Sequence, residues 1–171
     1  MRFGDPATTD PYAGAVTWDR AGALRVGVLF PPYLLLVRTH LRGMVELIDQ
    51  RTDDVELDAR LALPVRRVRD LRGEARPDAE VLADIRARQA WALSVLPERG
   101  GVVELSDARE QWRFGHALLD VCTAILAQQG EWLDGKQVGG QYCRDDATWE
   151  MWDWQFKWLS AQFVEPLRPA A

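Results

Sequence analysis

The residues of this 171-residue sequence best suited to nucleophilic, acid–base or metal chemistry are two cysteines, Cys122 and Cys143, and two histidines, His40 and His116. None of them stands at a CxxC, HxxxH or HExxH spacing. A zinc site of the usual kind needs three or four clustered ligands, so no metal and no cofactor are expected. Cys122 falls inside an apolar helical stripe and reads as a buried packing residue. Cys143 lies in a polar segment with no His or Lys beside it to lower its pKa, and reads as unpaired and inert. His40 sits within an apolar arc, which favours a hydrogen-bonded core histidine over a catalytic base. His116 precedes Asp120 by four residues, the spacing of a solvent-facing helical pair rather than of an acid–base dyad.

The sequence contains no GxSxG elbow, no P-loop and no dinucleotide fingerprint. Its adjacent carboxylates, Asp53/Asp54 and Asp145/Asp146, fall where helices would begin, and the positive end of a helix dipole accounts for acidic residues there without chemistry. No catalytic residue is assigned on these grounds.

The elements that must carry these groups follow from periodicity. Residues 1–14 hold Pro, Gly, Asp and Thr without an apolar period and read as a loose arm. Two short runs around Ala21-Gly22 predict a β-hairpin, which must rest on the helices that follow because a lone ribbon is marginal. Pro31 and Pro32 open a helix to about Asp49, with Leu34, Val37, Leu41, Met44, Val45 and Ile48 on one face. Between Asp53 and Leu63 helix and strand periods compete, and Pro64 is expected to end whichever forms. Pro77-Asp78 starts the next helix, which stops at Leu96 before Pro97, with Val81, Leu82, Ile85, Ala92, Val95 and Leu96 inside. After an extended piece at Val102–Leu105, Ser106-Asp107 caps a long helix to about Gln129. Its inner arc is expected to hold Trp112, Leu118, Leu119, Cys122, Ile125 and Leu126, with Phe114 and Val121 at the edge. Residues 130–146 carry four glycines and no period, which predicts a long exposed loop. A final helix covers about Ala147 to Val164.

Two features point to partners. Arg60, Arg66, Arg67, Arg69, Arg72 and Arg76 outnumber Asp70 and Glu74, and such a run reads as a solvated surface, with Arg66, Arg67 and Arg69 as candidates for meeting an acidic partner. On the final helix, Trp149, Trp152, Phe156, Leu159 and Phe163 fall within about 80° of each other at 100° per residue. Met151, Trp154, Trp158 and Ala161 lie nearly opposite. A surface helix of a monomer has a single inward face, so Met151, Trp154 and Trp158 either face a partner or lie under another segment.

Hydrophobic residues make up 47 % of the chain and charged ones 27 %, and the formal charge is -5. That balance argues against a basic nucleic-acid coat or a cationic membrane binder, and nucleic acid is not expected as a partner. No run approaches the ~18 consecutive apolar residues of a membrane span, and the first residues lack the apolar core of a signal segment, so no membrane partner is expected and the expected location is the cytoplasm.

The stretch LSVLPERGGVVELSDAREQWRFGHALLDVCTAIL (Leu93 to Leu126) and the closing WDWQFKWLSAQFVEPL (Trp152 to Leu167) resemble an actinobacterial helical protein family of unassigned function. The shared pattern is an apolar helix, a Pro, a Gly-Gly turn, a short Val/Leu strand, a Ser-capped helix and a last helix with a Trp-rich start. Heavy Arg and Ala usage, with Lys136 and Lys157 as the only lysines, fits a GC-rich genome. Members of that family are commonly encoded beside the adaptor of the Clp protease, and near a metalloprotease-like enzyme with a ubiquitin-like sulfur carrier. The resemblance thus implies a partner role in protein turnover or sulfur transfer and carries no catalytic residue.

Together these readings predict a mainly α protein: a loose arm over 1–14, then a single helical domain over 15–171, an irregular bundle of about four longer helices with a short N-terminal β-hairpin. The expected function is a non-catalytic interaction or adaptor role with a protein partner. The alternatives are an enzyme or small-molecule binder with a Trp-lined pocket between helices that also uses His40, and a structural homo-oligomer subunit.

Overall fold

Five helices dominate the computed structural model, which describes residues 16–18, 24–28, 31–51, 57–72, 76–98, 101–105, 107–129, 131–133, 136–138 and 146–161. In chain order the elements are β1 (Val16–Trp18), β2 (Leu24–Val28), α1 (Pro31–Asp49), α2 (Ala59–Arg72), α3 (Asp78–Val95), β3 (Gly101–Leu105), α4 (Ala108–Gln129), β4 (Glu131–Leu133), β5 (Lys136–Val138) and α5 (Asp146–Leu159). The strands make a three-stranded antiparallel sheet in the order β1-β2-β3, with Leu24 opposite Leu105, and a separate β4-β5 ribbon. The arm over 1–14, the Ala21-Gly22 turn, Asp53/Asp54, Cys143, Asp145 and the side chains of Trp149, Trp152 and Phe163 lie outside the described residues.

Local chemistry explains the helix ends. Asp58 caps α2: its side chain accepts the Arg60 amide at 2.8 Å while its carbonyl accepts those of Leu61 and Ala62. Pro64 does not end this segment, contrary to the sequence reading; it lies inside α2, buried, where it forgoes one helical hydrogen bond. Asp107 caps α4 in the same manner as Asp58, accepting the Arg109 amide at 2.7 Å. The end of α3 has no basic residue in its last turn, and Arg38 of α1 supplies the cation instead, donating to the Leu96 carbonyl at 2.7 Å. Residues 130–146, expected as one long loop, contain the β4-β5 ribbon.

The helices enclose two apolar clusters. Leu34, Val37 and Leu41 of α1 meet Ala92 and Leu96, Leu105, Phe114, Leu118 and Ile125, and Trp158 and Leu159 of α5. The second cluster joins Met44 to Leu61, Val65 and Val68 of α2, Val81, Leu82 and Ile85 of α3, and Ala124 of α4. Helices α3 and α4 run through both. Where they pass from one cluster to the other, their inward positions are Arg88, Gln89 and Asp120, and not apolar residues.

Candidate functional site

Arg88 follows Ile85 by three residues and precedes Ala92 by four, so it occupies the inward stripe of α3 although its type is polar. Its guanidinium reaches Asp120, the corresponding inward position of α4, with Nε donating to Oδ2 at 2.9 Å. Asp120 is 0 % exposed and Arg88 6 %. Arg67 of α2 donates to the other carboxylate oxygen of Asp120, and Gln89 donates to the Ala117 carbonyl at 2.8 Å and to Asp120 at 3.3 Å. Arg67 also stands 3.2 Å from Nδ1 of His116, and a guanidinium can only donate, so the imidazole presents an unprotonated Nδ1. The junction therefore holds two guanidiniums for one carboxylate, beside the His116 ring.

This arrangement corrects two sequence expectations. His116 and Asp120 are not a solvent-facing pair: Asp120 is fully buried, and the His116 ring packs on Trp112 with centroids 4.1 Å apart. The arginine run is not uniformly solvated either. Arg66 stays exposed, loosely beside Asp70 at 3.9 Å, whereas Arg67 is committed to Asp120. Arg69 reaches across to the start of α3, donating to the Arg76 carbonyl at 3.0 Å and pairing with Asp78.

Beside Arg88, helices α3 and α4 border a cleft of about 640 Å³, lined by Asp84, Ala87 and Arg88 on one side and Ala108, Arg109, Trp112 and Arg113 on the other. The spacing on each helix is that of one face, and the small Ala87 and Ala108 leave the room between the two. Trp112, expected in the core, is 52 % exposed here; Leu118, Cys122 and Ile125 are buried as expected, and Phe114 and Val121, expected at the edge, are fully inside with them. Arg113 closes one end, donating to the Ala87 carbonyl at 3.0 Å and lying over the Trp91 ring at 4.6 Å. Asp84 accepts from Arg76 at 2.7 Å.

His40 belongs to a different cavity, of about 230 Å³, shared with Thr39, Met44, Arg60 and Gln128. Its Nε2 donates to Oε1 of Gln155 on α5 at 2.7 Å, and burial pulls its pKa below the usual histidine value, with the Gln155 hydrogen bond opposing that shift. The pocket expected to combine tryptophan with His40 is thus two cavities. On α5 the second apolar face divides: Trp158 is 8 % exposed within the core, while Met151 and Trp154 remain 45 % and 42 % exposed. Trp154 and Trp158 stack with centroids 6.3 Å apart.

Cys122 is buried, and burial pushes its thiol up to about 12, so a thiolate nucleophile does not form there near neutral pH. Among the described residues no cluster of three His, Cys, Asp or Glu could hold a metal ion, and no helix is long and apolar enough to cross a membrane. The cleft was missed by sequence reasoning because its polar residues look like ordinary helix surface; the signal that could have found it is an Arg and an Asp each interrupting an apolar stripe on separate helices. Comparison with protein-family models, with curated proteins and with solved structures finds no match.

Proposed function

We propose that this chain is a non-catalytic binding protein whose α3–α4 cleft receives its ligand. The observation that carries the reading is Trp112, half exposed in a concave, mostly apolar site between two helices. Clefts of ~300–1,000 Å³ are the usual size of small-molecule sites, which bury most of the ligand's surface against apolar and aromatic walls with a few polar groups fixing orientation. Against catalysis stands the engagement of the reactive side chains among the described residues. Cys122 is held as a buried thiol, His40 is bonded to Gln155, and His116 and Asp120 are tied to Arg67.

A second reading, docking of a protein partner or a second copy on α5, is favoured by the exposure of Met151 and Trp154 one turn apart. The actinobacterial resemblance would give that partner a setting in protein turnover or sulfur transfer in the cytoplasm. The N-terminal β-hairpin belongs to the proposal as a stable part of the domain, joined through β3 to the start of α4.

Saturation-transfer NMR with 2-naphthamide, a flat neutral probe, tests the cleft reading. Transfer to the probe that disappears in Trp112→Ala, with the fold intact by circular dichroism, supports it. Equal transfer in both proteins, or none in the wild type to either this amide or its carboxylate analogue 2-naphthoate, refutes it.

A further inference from the structure

Resting on the cleft reading above, we infer that the ligand of the α3–α4 cleft is an aromatic anion: a flat apolar body that lies on Trp112 and one carboxylate or phosphate group that meets the arginines around it. Charge carries the argument. On a chain of net charge -5, the lining of this cleft has three arginines to one aspartate. The aspartate, Asp84, is already neutralised by Arg76 at 2.7 Å. One of the three arginines, Arg88, shares the single carboxylate of Asp120 with Arg67 behind it, so this junction keeps one positive charge unbalanced. A charge withdrawn from water and left uncompensated is costly, and an anion seated against Arg88 supplies the missing partner.

The cationic side chains have separate parts. Arg113 is held in place by the Ala87 carbonyl and the Trp91 ring, which fixes its guanidinium without consuming its charge. Arg109, exposed at the mouth, pairs with no carboxylate among the described residues. It lies three residues before Trp112 on the same helix face, the spacing that sets a cation beside an aromatic surface. The first amides of α4 add little, because Asp107 already caps them. The anion is therefore recognised by guanidinium groups, which suit the planar fork of a carboxylate or the oxygens of a phosphate.

The flat body follows from Trp112. The ring lies beside His116, with the planes 35° apart, and Trp112, about half exposed, lines the cleft. An indole placed this way offers stacking area at little entropic cost. A bare anion would leave that surface wet, and a neutral ring would leave the arginines unsatisfied.

Isothermal titration calorimetry with one ring system and varied charge tests the inference: 2-naphthoate, 2-naphthyl phosphate, neutral 2-naphthamide and 2-naphthylmethylammonium. An anion binding at least ten-fold more tightly than the amide, with the ammonium weakest, is the expected order, and Arg109→Gln should bring the anion's affinity down toward that of the amide. Which of the two anions binds tighter assigns a carboxylate or a phosphate source. Amide and anions binding equally, or Arg109→Gln leaving the preference intact, overturns the inference while the cleft reading stands. Binding by none of the four overturns both. A thermal melt of Arg109→Gln matching the wild type confirms that a lost preference reflects charge and not unfolding.

Discussion

Asp120 of α4 accepts the Nε–H of Arg88 of α3 at 2.9 Å where these two helices pass between the two apolar clusters. Arg67 reaches the same carboxylate from α2, so one buried acid ties three helices together. Such a junction is a poor source of net stability, because desolvating the ions offsets their attraction, but breaking it is expensive since it strands a charge. It also sets the relative position of α3 and α4, and with it the width of the cleft beside Arg88.

Asp120→Ala strands two guanidiniums and should cost about 3–5 kcal/mol in chemical denaturation. Arg66→Glu, on the surface, should cost less than ~1 kcal/mol. Arg67→Glu sets a second carboxylate against Asp120 and should resemble Asp120→Ala. Equal, small effects for Arg66→Glu and Arg67→Glu would return the whole arginine run to the solvated surface.

The division of α5 predicts unequal tryptophans. Trp158→Ala opens a cavity in the main cluster and should cost about 3–5 kcal/mol, whereas Trp154→Ala should cost about 1 kcal/mol or less. Urea denaturation of the two variants decides it, and the reverse order would place Trp154 in the core.

Stability should rise with pH across the histidine range. His40 has a folded pKa below its unfolded value of 6.5, so the unfolded chain binds the proton more readily. Its contribution is complete above that value and is lost as pH falls from there toward the folded pKa. Denaturation midpoints between pH 7.5 and 5 should therefore fall, and His40→Gln should flatten the slope. A slope unchanged by that substitution would assign the effect to other groups.

In a Cys143→Ser variant, the native protein at pH 8 should react with Ellman's reagent only at the rate of its unfolding, because the Cys122 thiol is buried and held up to about 12. Prompt stoichiometric release would show that α4 opens to admit the reagent.

Much of the helical frame was readable from the residues. Pro31-Pro32 and Pro77-Asp78 mark helix starts by supplying a fixed φ where no amide partner is needed, and Leu96-Pro97 marks a stop. The observed bounds of α1 and α3 agree with those signals. Pro64 reads as a terminator by its ring alone, but Asp58 upstream and the buried Leu61, Val65 and Val68 hold α2 together across it. The site was hidden for a related reason. Residue type marks Arg88, Gln89 and Asp120 as surface although Arg88 and Asp120 continue inward stripes, and only the packing of α2 and α3 on α4 reveals that each has a partner inside. The same tertiary choice turned α4 so that Phe114 faces in and Trp112 faces the cleft.

The most direct test of the cleft as the working surface is a titration of the 15N-labelled protein with 2-naphthoate, followed at the eight tryptophan indole N–H signals and assigned with Trp112→Phe. The account predicts that the Trp112 signal shifts most, that Trp91 beneath Arg113 follows, and that Trp154 and Trp158 on α5 stay in place. A shift centred on Trp154, or no shift of Trp112 at saturating probe, would contradict it.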